Sequence, residues 1–454
     1  MASSRKPPAN KSLQERVAAA VGRHLQRGAR LTVGLSGGMD SVVLLDAMRE
    51  AAVLCGLELA AVHVNHQINP RAEAWAGFCR DLCAGWNIPL QIEKVVVPAD
   101  DSLEAAARAA RYAVYAALVT DAVVLAHHED DQAETLLLQL LRGSGVRGVS
   151  AMPEFRTGVE GDAAPAILRP LLGVTRAEIS AYAEARGLRW IEDDSNADTR
   201  FDRNFIRHRV LPLLAQRFPA CRNTLARASG HFAEAAGLLD AAAVADAGDE
   251  DAAGDTLDLA RLRALPVARI KNVLRYFFWR QGVLMPSARR LEECVRQLLR
   301  AGAGVRIGVR LDAHELRSFD GRLYLVPLVD PAAGRFAAVA WQGEARLPLP
   351  QWGGVLVMAE GRGRGISLAK LGGRLVTLGA RQAGLRLRLD AARPSRTLKN
   401  LWQESNIPPW RRQTTPLVFA DDELICVPGI GVAAAFRAAD TEPGIEPDWQ
   451  PNRR

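Results

Sequence analysis

Residues 31–50 read LTVGLSGGMDSVVLLDAMRE. The apolar run LTVGL predicts a short buried strand, and SVVLLDAMREAAVLC resumes at once as a helix. Between them lies SGGMDS, Ser36 to Ser41, packed into a single strand-to-helix turn. In an open parallel sheet, ligands bind beyond the carboxyl ends of the strands, where the next helix aims free N–H groups and the positive end of its dipole. Gly37 and Gly38 lack Cβ atoms, so the backbone can turn sharply and approach an anion, while Ser36 and Ser41 offer hydroxyls. The expected ligand is a phosphate. Two familiar loops are excluded: a Walker loop requires a Lys that SGGMDS lacks, and G-x-G-x-x-G does not occur here.

The same alternation continues to about residue 142. LAAVHVN is followed by RAEAWAGFCRDLCAGW, PLQIEKVVV by SLEAAARAARYAVYAALV, and AVVLAHH by DDQAETLLLQLLRG. Strands separated by helices of this length imply right-handed crossovers and an α/β fold, a doubly wound parallel sheet covered on both faces. A further unit is expected from AILRPLLGV through TRAEISAYAEARG to LRWIED, with Thr175 and Glu178 forming a capping box.

The strand expected from Ala122 ends in His127 and His128, and EDD follows at once. Adjacent strand residues diverge, so only one of His127 and His128 can face the ligand crevice. Asp130 and Asp131 open the next helix, with Glu134 one turn on and beside one of them, a grouping suited to gathering Mg2+ or a cationic amine against a phosphate. Downstream, Arg200, Arg203 and Arg207 recur at helical spacing with Asn204 among them, as forked donors for phosphate or a nucleobase would. His63, in HVNHQI, either touches a nucleotide or finishes its strand.

Outside this region, Ala-rich residues 223–248 predict a helix running into the acidic, small-residue stretch DAGDEDAAGDT. HELRSF and RLYLVPL form an expected hairpin through Asp320-Gly321. The chain carries net charge +7, but twelve Lys/Arg against two carboxylates between Arg362 and Arg412 leave +10 there and −3 elsewhere. That C-terminal patch, including Arg386, Arg388, Arg396 and Lys399 with Trp402 and Trp410 nearby, fits a phosphate-rich partner. The expected domains are 1–222, 223–335 and 336–454, the last two small and α+β. Six cysteines lack C-x-x-C spacing, so neither a disulfide framework nor a zinc or iron–sulfur site is expected. No signal-peptide pattern or membrane span is legible, and a cytoplasmic location follows.

SGGMDS resembles the pyrophosphate-binding loop of the N-type ATP pyrophosphatases, and AHHEDDQAETLLLQLLRGSGVRG at 126–148 resembles the signature of the tRNA(Ile)-lysidine synthetase family. HVNHQI at 63–68, LRWIEDDSNADTRFDRNFIRHRVLPLL at 188–214 and TLKNLWQESNIPPWRRQTTPLVFADDELICVPGIGV at 397–432 resemble further segments of the same family. After HVNH the sequence departs from that family's usual glycine-leucine-arginine continuation.

The resemblance implies an enzyme that adenylates the carbonyl at carbon 2 of the wobble cytidine in the CAU anticodon of a minor isoleucine tRNA. Free L-lysine then displaces AMP to leave lysidine, and codon specificity changes from AUG to AUA. It implies ATP held by Ser36, Gly37, Gly38, Met39, Asp40 and Ser41 with His63 and His127, and Mg2+ on Asp40 and Asp131. The lysine amine would meet Asp130, Asp131 and Glu134. Arg200, Arg203, Asn204 and Arg207, with the C-terminal basic residues, would hold tRNA. A homodimer is compatible with the sequence. Two other readings share the ATP loop or the basic patch. A tRNA thiolase usually needs paired cysteines or an iron–sulfur cluster, for which these cysteines are poorly arranged, and a non-catalytic tRNA-binding protein would tolerate loss of Asp40.

Overall fold

The computed structural model describes residues 12–97, 103–157, 164–193, 198–300, 306–328, 337–382 and 384–451. The chain divides into two compact units, 1–238 and 239–454.

In the first unit, α1 (Leu13–His24) leads into β1 (Arg30–Gly34), α2 (Met39–Cys55), β2 (Glu58–Asn65), α3 (Ala72–Gly85), β3 (Leu90–Lys94) and α4 (Leu103–Ala116). Then follow β4 (Ala122–Val124), α5 (Glu129–Leu141), α6 (Val146–Val149), β5 (Phe155–Arg156), β6 (Ala166–Leu168) and α7 (Arg176–Ala185). Short α8 (Asp202–Phe205), a π-helical turn (Ile206–Val210) and α9 (Leu211–Arg217) follow, and α10 (Cys221–Ala247) crosses the boundary at 238/239. The strands form one sheet in the order β3-β2-β1-β4-β6-β5, parallel except for β5, which runs against β6.

Strand alternation sends successive residues to opposite faces, and two cores result. Ala61, Ala122, Val124 and Leu168 pack with α1, α2 and α7 on one face. Their neighbours Val62, Val123 and Ile167 pack with Tyr112 and Tyr115 of α4 on the other. Because both faces are covered, these strands read as continuous apolar runs.

Two expectations are resolved locally. Thr175 and Glu178 form the capping box at the start of α7, the Thr175 hydroxyl accepting from the Glu178 N–H and Glu178 accepting from the Thr175 N–H. LRWIED does not become a strand. Instead, Ile191 donates its N–H to the Gly37 carbonyl at 2.9 Å, so the segment lies against the loop after β1.

In the second unit, Thr256–Asp258, Arg322–Pro327, His314–Phe319 and Gly308–Leu311 form an antiparallel sheet in that order. Its hairpin turns at Asp320-Gly321, both at positive φ (47° and 71°), as a two-residue type I′ turn requires. The last segment builds a five-stranded and a four-stranded sheet around a core that includes Trp352, Trp402 and Phe436. The expected 222/223 border falls inside α10, a continuous helix. Among the described residues, no helix is long and apolar enough to cross a membrane.

Candidate active site

The loop from Ser36 to Ser41 leaves the carboxyl end of β1 and starts α2 with Gly38 as N-cap. Its hydroxyls tie the turn together: Ser41 Oγ lies 3.1 Å from Ser36 Oγ and donates to the Gly38 carbonyl at 2.9 Å. Gly37 has φ +88°, and a Cβ there would stand 2.7 Å from Ile191 Cδ1 and 3.2 Å from Cys79 Sγ. Glycine is therefore required at 37 by both backbone and space. Beneath the loop, buried His63 donates from Nδ1 to the Leu35 carbonyl at 2.9 Å, and Cys79 Sγ sits 3.5 Å from the same nitrogen. Burial holds His63 below the ordinary histidine range, and burial pushes the Cys79 thiol up to about 12, so neither is charged at neutral pH.

Met39 and Asp40 form the first turn of α2, where amides lack intrahelical acceptors. Asp40 Oδ2 faces His128 Nε2 at 3.6 Å, whereas buried Asp40 Oδ1 has no hydrogen-bond partner. His128 Nε2 also lies 3.5 Å from Asp131 Oδ2. Burial opposes protonation of His128, but the carboxylates of Asp40, Asp131 and Asp130 outweigh it and raise its pKa above the ordinary value. The histidine that reaches the loop is thus His128. His127 turns away to accept a hydrogen bond at Nδ1 from Arg169 Nε at 3.3 Å. Burial, with Arg169, Arg203 and Arg108 nearby, drives its pKa down to about 3 against the pull of Asp131.

The start of α5 gathers the acidic residues but separates their roles. Asp131 caps the helix by accepting from the His128 N–H at 3.0 Å. Its Oδ1 also accepts from Arg203 Nη2 at 2.7 Å and Arg207 Nη2 at 3.0 Å. Glu134, 1% exposed, accepts from Arg203 Nε and Arg207 Nη2, both at 2.8 Å, and from Arg207 Nε. Two carboxylates and two guanidiniums therefore form one neutral, largely buried cluster. Burial would raise the Asp131 pKa, but His128 and Arg203 hold it well below the usual carboxylate range. Asp130 faces elsewhere, pairing with Arg222 Nε at 2.9 Å and accepting from the Arg176 N–H.

The arginines do not share one helical face as their spacing predicted. Arg200 precedes α8 and its exposed side chain pairs with Asp198, because the chain turns before the helix begins. Arg203 and Arg207 come together across α8 and the π-helical turn, and the Asn204 amide donates to the Asp198 carbonyl.

In the second unit, Arg386 and Arg396 lie on a two-stranded ribbon and Lys399 in the first turn of the following helix. Arg388 donates to the carbonyls of Arg393 and Ala391, and Arg396 pairs with Glu404. Neither tryptophan is an open stacking surface, although Arg381 of the basic patch lies over the Trp402 ring at 5.1 Å. Trp402 occupies the apolar side of its helix and is fully buried. Trp410 packs edge-on against Tyr324 and Phe319.

Sequence comparison extends over all of these parts. A PP-loop domain family matches residues 9–214, a TilS substrate binding domain 257–324, and a TilS substrate C-terminal domain 376–449. The tRNA(Ile)-lysidine synthase of Nitrosomonas europaea is 42% identical over 94% of this chain and 93% of its own length. That of Azoarcus sp. (strain BH72) is 44% identical over 93% of this chain and 92% of its own. The chain belongs to the tRNA(Ile)-lysidine synthase family. Membership makes it an ATP-utilising PP-loop enzyme, and the loop at 36–41 lies within the residues that the PP-loop domain family matches. Asp131 and Glu134, expected beside one another at the helix start, do lie in one cluster, there paired with Arg203 and Arg207. His128, not His127, faces the loop, and its place one residue before the acidic helix start is the signal in the sequence.

The donor set fits a divalent cation at Asp40, whose Oδ1 is a buried acceptor without a partner. It fits less well at Asp131, whose oxygens already serve two guanidiniums and the His128 N–H. No group of three or more His, Cys, Asp or Glu able to hold a metal occurs among the described residues. One carboxylate suffices for Mg2+, which takes most of its remaining ligands from water and substrate phosphates.

Proposed function

We infer that this chain joins free L-lysine to carbon 2 of the wobble cytidine in the CAU anticodon of a minor tRNA(Ile), consuming ATP and releasing AMP and diphosphate. The full-length match to synthases of that name, spanning the nucleotide domain and both C-terminal segments, carries this reading. No observation favours the thiolase or the non-catalytic alternative.

Cytidine O2 is a poor leaving group until it carries AMP. The loop at 36–41 would cradle the departing diphosphate with its first-turn amides and hydroxyls, stabilising charge where it develops. Mg2+ held by Asp40 would neutralise phosphate charge there. In the second half-reaction the lysine Nε forms a bond to carbon 2, the bond from carbon 2 to the adenylated oxygen breaks, and the amine loses a proton. Asp131 and Glu134 would orient the lysine: Asp131 is held ionised, which suits it to an ammonium group and makes it a weak proton acceptor. To admit that ammonium, Arg203 and Arg207 must yield part of the cluster they now fill. Asp130, turned toward Arg222, would hold α5 to its neighbours. Single-stranded anticodon bases can be splayed into a pocket, while the C-terminal basic residues would grip the tRNA backbone.

The direct test incubates the protein with tRNA bearing a CAU anticodon, ATP and radiolabelled lysine. Lysine-dependent label in the tRNA with equimolar AMP is the expected result. AMP release without label, or label with the anticodon cytidine replaced by uridine, would overturn the assignment.

A further inference from the structure

A cavity of about 320 Å³ opens at the carboxyl edge of the sheet on the α4 side, lined by Arg108, Tyr112, Met152, Pro153, Arg156 and Arg169. Three guanidiniums converge there on one tyrosine. Arg108 lies over the Tyr112 ring at 4.9 Å and donates to its hydroxyl at 3.3 Å, and Arg156 approaches the same ring at 5.9 Å. Arg169 is 3% exposed and donates to the Pro153 carbonyl at 2.9 Å and to neutral His127. None of the three pairs with a described carboxylate, and no carboxylate occurs among the described lining residues. Burial and the repulsion of Arg156 and Arg108 both lower the Arg169 pKa, against the opposing effect of Tyr112. Like charges brought together in a half-enclosed cavity with no counter-ion among the described residues call for an anionic ligand.

Position decides which anion. The nucleotide loop feeds α2 on one face of the sheet, and this cavity is built from α4 on the other. The two histidines stand between them, His128 facing Asp40 and His127 facing Arg169. A phosphate in the cavity would therefore belong to a molecule approaching the reacting centre from the side opposite the ATP loop.

We propose that Arg108, Arg156 and Arg169 form a subsite for a backbone phosphate of the tRNA next to the target cytidine. Forked guanidiniums match phosphodiester oxygens, and the aromatic floor gives a ribose an apolar surface. The subsite positions the base rather than taking part in bond exchange, and it rests on the tRNA reading given above.

The test compares the full-length protein with its Arg156→Gln, Arg156→Lys and Arg169→Gln variants. Arg156 is exposed, so its replacement leaves the fold intact should Arg169→Gln not fold. Binding of tRNA with a CAU anticodon is titrated across salt concentration, and ATP binding is measured with a fluorescent ATP analogue. Arg156→Gln is expected to weaken tRNA binding about tenfold and to reduce the log–log salt slope by about one, with Arg156→Lys retaining most of the slope. ATP affinity should stay within about twofold. Unchanged tRNA affinity and slope in Arg156→Gln, while the wild type still charges tRNA with lysine, would overturn the subsite alone. Weaker ATP binding with unchanged tRNA binding would also overturn it, by giving the cavity to the nucleotide. A wild type that neither binds nor charges tRNA would overturn the functional reading beneath it.

Discussion

Ile191 seals the back of the loop at 36–41 through Gly37: its N–H donates to the Gly37 carbonyl at 2.9 Å, and its Cδ1 stands 2.7 Å from where a Cβ at 37 would be. A segment about 150 residues downstream thus fixes the curvature of the turn proposed to cradle the diphosphate. Gly37→Ala forces both a side chain against Ile191 and an L-residue into φ +88°, a conformation costing roughly 1–2 kcal/mol. Lysine-dependent AMP release should fall at least tenfold while circular dichroism stays unchanged. Adding Ile191→Ala relieves the contact but not the dihedral, so recovery should be partial. Full activity in the single variant would show that the loop geometry is not required.

Glu134 is enclosed by two guanidiniums, and its removal would leave them buried and underpaired. Breaking one partner of such a cluster costs about 3–5 kcal/mol. Glu134→Gln should therefore lower the melting temperature and, in the protein that remains folded, raise the KM for lysine more than that for ATP. Equal changes in both KM values would assign Glu134 a purely architectural role. The matching comparison is Asp130→Asn, which removes a pair on the other side of α5 and should leave the lysine KM within about threefold while lowering stability.

Much of this arrangement was legible in the chain. Short strands alternating with long helices dictated the parallel sheet, and SGGMDS at the first strand end dictated a tight strand-to-helix turn, because both follow from local periodicity and backbone freedom. Less local features were not legible. LRWIED reads as a strand by composition, yet its backbone groups serve the loop instead, a tertiary contact no window of sequence contains. Arg203 and Arg207 were expected to meet phosphate, but whether a guanidinium faces ligand or carboxylate depends on how α8 approaches α5. His127 and His128 were expected to diverge as strand residues with His127 at the nucleotide, but β4 ends at Val124, and the extended segment after it turns His127 to Arg169 and His128 to Asp40.

The basic ribbon offers a test independent of the catalytic loop. Neutralising Arg386, Arg388, Arg396 and Lys399 together should weaken tRNA binding and reduce its salt slope by about 2–3, less than four full phosphate contacts because Arg396 already pairs with Glu404. ATP affinity should not change. A filter-binding titration returning the wild-type slope would remove this surface from the tRNA footprint.

His127 and His128 are adjacent and titrate in opposite senses, which predicts the shape of the stability profile in protein free of nucleotide and divalent ions. His127 is buried and neutral, its pKa pushed down to about 3, so below about pH 6.5 the unfolded chain binds a proton that the folded chain refuses. Its contribution to stability therefore declines as pH falls from 6.5, by up to about 1.4 kcal/mol per pH unit. His128 has a raised pKa, so its contribution is fully present below about pH 6.5 and is lost as pH rises through the folded value. The pair together favours stability near pH 6.5. In urea titrations across pH 4.5–8.5, His127→Asn should flatten the acid limb and His128→Asn the decline above 6.5. An acid limb unchanged in His127→Asn would mean that the imidazole is not held neutral, and with it the hydrogen bond from Arg169 would have to be reassigned.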